Sequence, residues 1–154
     1  MLMHAPDILL LAHHGTEGAA RAEALAFSIA EPGRTTIVHA LIIPDFWDGM
    51  QGDDWLNNAA TRDSFAKHLE SQLAAESRQQ IDALSGRCTA LGLASRSMVA
   101  VGDPATRLVE MARQCLANLV VVGPPRPPGS PGYRSRMKLE TLARGLACPL
   151  VIAR

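Results

Sequence analysis

The sequence predicts an α/β fold: one doubly wound parallel sheet with helices on both faces, formed by a single domain over residues 1–154. Two observations carry this expectation. Five short aliphatic or β-branched runs, Asp7–Ala12, Thr35–Ile43, Ser95–Val101, Leu119–Val122 and Leu150–Ala153, have the length and composition of strands, and Leu119–Val122 has the pattern of a parallel strand covered on both faces. The segments between them carry apolar residues at helical spacing, so the chain reads β-α-β-α-β-α-β-α-β, the order that builds a parallel sheet. No internal repeat or interdomain linker interrupts it.

The first strand ends in the turn His13-His14-Gly15-Thr16, where Thr16 is placed to cap a helix with Glu17 near its positive end. Ala19, Ala22, Ala26 and Ile29 form one face of that helix, and Pro32-Gly33 stops it. Pro44 ends the second strand. A loop of acids and aromatics, Asp45–Trp55, leads into a long helix over about 58–91, with Phe65, Leu69, Leu73, Ile81, Leu84, Cys88 and Leu91 at spacings of three, four or eight. Gly92 closes it. After the third strand, Gly102-Asp103-Pro104 turns into a helix with Asp103 as N-cap and Pro104 in the first helical position. Leu108, Val109, Ala112 and Leu116 are expected on its buried face. Between Gly123 and Gly132 stand five prolines and three glycines, which exclude a helix or a central strand there. Leu139, Leu142, Ala143 and Leu146 mark the last helix, before the closing strand.

Lys plus Arg and Asp plus Glu both number 15, so there is no basic excess to suggest a nucleic-acid or anionic-membrane partner. No stretch reaches membrane-spanning length, and the run Ile8–Ala12 is too short for a signal sequence, so a cytoplasmic protein is expected. Cys88, Cys115 and Cys148 are few and widely spaced, which suits packing residues in a reducing compartment.

Several residues invite chemistry. His13 and His14 leave the first strand, and His39 lies on the second, but no H-x-x-x-H or H-E-x-x-H spacing occurs and no metal site is expected. No G-x-S-x-G elbow follows a strand, and no cysteine has a base beside it, so no catalysis is expected. Phe46, Trp47 and Trp55 either cap the long helix or offer a contact patch to a protein partner.

Three stretches, LAHHGTEG, GDPATRLVEMARQCLANLVVVG and LARGLACPLVIA, together resemble the universal stress protein family, as does the His of VHALI; the resemblance runs from Asp7 to Ala153. It implies a five-stranded parallel sheet in the order 3-2-1-4-5, of the adenine-nucleotide-alpha-hydrolase-like kind, with the His13-His14 turn beside the Gly123 loop, where sheet geometry places ligands. It also implies a homodimer through the last strand, Leu150–Ala153, whose apolar edge invites pairing.

The ATP-binding members carry G-x-x-G, nine residues, then G-S or G-T after the fourth strand, glycines that let amides approach phosphate. Counting from Gly123, the second glycine falls on Arg126 and the final pair on Arg136 and Met137. The acid at the end of the family's first strand falls on His14. The prolines also remove amide donors from the loop. Ala12, His13, His14, Gly102, Gly123, Arg126, Arg136 and Met137 are therefore read as a vestigial or altered nucleotide cleft. No cofactor is expected of such a cleft, and the protein is read as a stress-associated homodimer acting through protein contacts. The alternative is a regulatory module for ATP or another adenine nucleotide, since Arg126, Arg134, Arg136 and Lys138 can grip phosphate by side chain.

Overall fold

The computed structural model describes residues 4–13, 17–43, 59–124 and 137–154, with backbone alone at 17, 59–70 and 73. In chain order the elements are β1 (Ile8–Ala12), α1 (Glu17–Ile29), β2 (Thr36–Ile43), α2 (Ala59–Ala90), β3 (Ala94–Val101), α3 (Pro104–Cys115), β4 (Leu119–Val122), α4 (Leu139–Gly145) and β5 (Leu150–Ile152). The strands form one sheet in the order β3-β2-β1-β4-β5, and every pairing is parallel. The strand order implied by the resemblance is the one observed.

Alternation along the strands divides the core in two. Leu10, Ala12, Val38, Ala40, Ile42, Val120 and Val122 face α3 and α4, where Leu108, Val109, Ala112 and Leu142 meet them. Leu9, Leu11, Ile37 and Val121 face the other way, against Ala22 and Ala26 of α1 and Leu84 and Cys88 of α2. β1 has neighbours on both sides and helices on both faces, and Leu9, Leu10 and Leu11 are fully buried.

The turn chemistry into α3 is as its sequence requires. Asp103 stands outside the helix in extended backbone and accepts from the Thr106 amide at 3.0 Å. Thr106 Oγ1 donates to the same carboxylate oxygen at 2.8 Å. These hydrogen bonds, first that from the amide, hold the Asp103 carboxyl below its ordinary range. The Thr16 cap lies outside the described residues, as do the side chains of Phe65, Leu69 and Leu73.

Among the described residues, three expected on buried faces are exposed. Leu116 is 79% exposed, because α3 has already ended: its backbone is left-handed at φ 56° and its amide caps the carbonyls of Ala112 and Arg113. Leu91 is exposed in the turn after α2, where its amide bonds the Cys88 carbonyl. Ala143 lies on the outer side of α4, whose buried residue is Leu142.

Candidate functional site

Because the order in which strands are added to the sheet reverses between β1 and β4, the carboxyl ends of these two neighbouring parallel strands flank the crevice where an open α/β sheet holds ligands. Of the eight residues the sequence assigns to this cleft, Ala12, His13, Gly102, Gly123 and Met137 are described. His14, Arg126 and Arg136 lie outside the described residues, as does the Phe46, Trp47 and Trp55 loop.

Each described position is engaged by the chain itself. Ala12 ends β1 and is buried in the core facing α3. Gly123 and Pro124 lie against the first turn of α1: a Cβ on Gly123 would stand 2.5 Å from the Gly18 carbonyl oxygen, and a Cβ on Gly18 would stand 3.3 Å from Pro124 Cδ. Gly102 has φ +138°, and the space a Cβ would need is filled by Arg107 Nε at 2.8 Å. That Nε donates to the Val101 carbonyl at 3.0 Å, while Nη1 donates to Glu110 at 2.7 Å. Met137 is partly buried and packs against the core cluster that faces α3 and α4.

His13 leads into a polar cluster that spans four elements. Its amide donates to the Ala40 carbonyl at 3.3 Å, and its own carbonyl lies 3.0 Å from His39 Nε2. The two rings meet edge to face, 5.9 Å apart and 66° between planes. His13 Nε2 stands 3.7 Å from Glu23 Oε1 of α1. Arg87 of α2 donates to that same oxygen through Nε at 2.8 Å and also through Nη2. Burial pushes both imidazoles below the ordinary histidine range; Glu23 opposes that for each, and the His13 carbonyl opposes it for His39. His39 Nδ1 is buried without a hydrogen-bond partner among the described residues.

Sequence reading singled out both histidines but not Glu23 or Arg87. Those two stand 64 residues apart on different helices, and no local spacing signals such a pair. The cysteines offer no activated nucleophile: burial raises the thiol pKa of Cys88, Cys115 and Cys148, so the thiolate is disfavoured. Among the described residues, no group of three or more His, Cys, Asp and Glu is arranged to hold a metal ion, and no helix is long and apolar enough to cross a membrane.

No protein-family model matches the chain, and no curated protein matches it in sequence. Its likenesses are structural. Universal stress protein UspA from Lactobacillus plantarum superimposes with a TM-score of 0.67 at 16% identity, covering 99% of this chain and 100% of that one. A universal stress protein in complex with cAMP gives 0.63 at 18% identity, over 97% of this chain and 98% of that one. An Arabidopsis thaliana universal stress protein family protein with AMP bound gives 0.63 at 12% identity, over 96% and 91%. The chain thus has the universal stress protein fold, over nearly its whole length.

Proposed function

We propose that this protein is a non-catalytic, cytoplasmic member of the universal stress protein class that acts through self-association and protein contacts, without ATP. The observation that supports this reading is that the described cleft positions are engaged by the chain's own packing. Gly123, the one glycine left at a phosphate-binding position, is already required for contact with Gly18, and the residue after it is a proline with no amide to donate. Arg107 fills the space over Gly102, and Met137 packs, partly buried, against the core. Contacts with other proteins would use the edge of β5 for a second copy and the Phe46, Trp47 and Trp55 loop for other partners.

A second reading is supported by the structural neighbours that hold cAMP and AMP. On that reading Arg126 and Arg136 replace glycine amides as the phosphate grip, and the protein is a nucleotide-binding regulatory module. Calorimetric titration with ATP, ADP, AMP and cAMP separates the two. We expect no heat and no thermal shift at millimolar ligand. Micromolar binding that disappears in an Arg126→Ala, Arg136→Ala double variant would establish the nucleotide reading instead.

A further inference from the structure

Two of the three cysteines converge on one side of the sheet. Cys115 is the last residue of α3, and Cys148 stands in the bend between α4 and β5. In the parallel register Val120 pairs with Leu150, and the Val120 amide donates to the Pro149 carbonyl at 3.0 Å. Carried back along both chains, that register sets Cys148 level with Asn118. Only Leu116 and Ala117 separate Asn118 from Cys115, and left-handed Leu116 folds them back, so that the Ala117 amide bonds the Ala112 carbonyl. Both cysteine side chains reach the core cluster that faces α3 and α4. Cys115 is buried in it at 6% exposure, and Cys148 packs against it, half-buried. Burial raises the Cys148 thiol, and a charge on Cys115 raises it further, as between neighbouring thiols. Cys88 has no part in this. It is fully buried across the sheet, among Leu84 and Leu93.

We propose that Cys115 and Cys148 are a dithiol pair that small disulfides oxidise reversibly to a bridge, tying the end of α3 to the entrance of β5. Neither residue lies in the middle of an element, so the adjustment a disulfide needs falls on a helix end and a bend. The half-buried Cys148 meets the oxidant. Its thiol gives up a proton and the thiolate attacks one sulfur of the small disulfide, whose S–S bond breaks and releases a small thiolate. Cys115, deprotonated in turn, attacks Cys148 Sγ from the core side and expels the second small thiolate. The two protons given up end on the two small thiolates, so the protein loses two electrons and one small disulfide becomes two thiols. Burial is the largest influence on both cysteines and holds their thiols above the ordinary range, while the Arg96 guanidinium eases the ionisation of Cys115. The exchange is therefore slow and answers to sustained oxidation. Its effect falls on β5, the shortest of the five strands, which has three residues and only β4 beside it. A bridge at its entrance fixes it to α3, whether or not β5 pairs with a second copy.

The test treats the folded full chain with oxidised glutathione in excess over reduced glutathione. Free thiols are then alkylated in denaturant and the links mapped by mass spectrometry. A single free thiol, at Cys88, and a Cys115–Cys148 link within one chain are expected, with a urea midpoint above that of the reduced protein. Reduced glutathione in excess should return all three thiols and the original midpoint. Cys148→Ser, a change at a half-buried position, should keep both remaining thiols and show no shift under the same treatment. A mixed disulfide that persists on Cys148, a link that includes Cys88 or a second chain, thiols that all survive the oxidant, or a bridged protein that unfolds no later than the reduced one would each overturn the proposal.

Discussion

A methyl group at position 123 would lie 2.5 Å from the carbonyl oxygen of Gly18, and no side-chain rotation relieves that contact, because the obstacle is backbone. Gly123→Ala must push the start of the loop off α1, and the expected loss is about 1–3 kcal/mol, the range for overpacking. Gly33 makes the contrast: its φ is +82° but nothing lies within 4 Å of an added Cβ. Gly33→Ala should therefore cost only the left-handed backbone preference, about 1 kcal/mol. Urea denaturation of the two variants checks both, and a Gly123→Ala midpoint equal to wild type would remove the packing account of this glycine. The histidines give a pH dependence with a definite sign. His13 and His39 have lowered folded pKa values, so in mild acid the unfolded chain binds more protons than the folded one. Their contribution is complete above about pH 6.5, the unfolded histidine value, and is lost as pH falls from there through the folded values. A urea midpoint lower at pH 5.5 than at pH 8 is expected, and a flat profile over that range would contradict the burial of these rings.

At the scale of the element, α3 shows how far local sequence decides structure and where it stops. Asp103-Pro104 specifies the start of the helix by hydrogen bonding and a fixed φ, and the helix begins there. Asp103→Ala should cost about 1 kcal/mol, read from thermal or urea unfolding. The other end departs from the pattern: the apolar spacing continues to Leu116 while the helix stops at Cys115. Periodicity extrapolates through a cap that no glycine announces. Leu116→Gly relieves a left-handed leucine and removes an exposed apolar side chain, so it should stabilise the protein by about 1 kcal/mol. At the end of α2 the same spacing rule picks out Leu84 within the helix and Leu91 in the turn just past it, of which one is 1% exposed and the other 49%. Leu84→Ala should cost about 2–5 kcal/mol, by lost transfer energy and a residual cavity. Leu91→Ala should change stability by no more than about 0.5 kcal/mol, as exposed substitutions do.

For the whole molecule, the strand order leaves β3 and β5 at the edges of the sheet. Ile152 of β5 is 41% exposed, and Val99 and Val101 of β3 are half exposed. Apolar edges of this kind invite another strand. If β5 is the self-association surface, Ile152→Lys places a charge in the contact and should convert dimer to monomer in sedimentation experiments, with the urea midpoint of the monomer nearly unchanged. A wild-type protein that is already monomeric at high concentration would remove the dimer from the proposed function. The sequence by itself determined the nine elements of the described residues, their order along the chain, the cap of α3 and the doubly wound class, because strand and helix periodicity, turn residues and caps are local signals. Only the tertiary structure decided what the described cleft residues touch. That Gly123 is held by Gly18, that Gly102 is covered by Arg107, and that Glu23 stands between His13 and Arg87 are contacts between positions brought together by the sheet. The residue pattern along the chain carries no record of that distance.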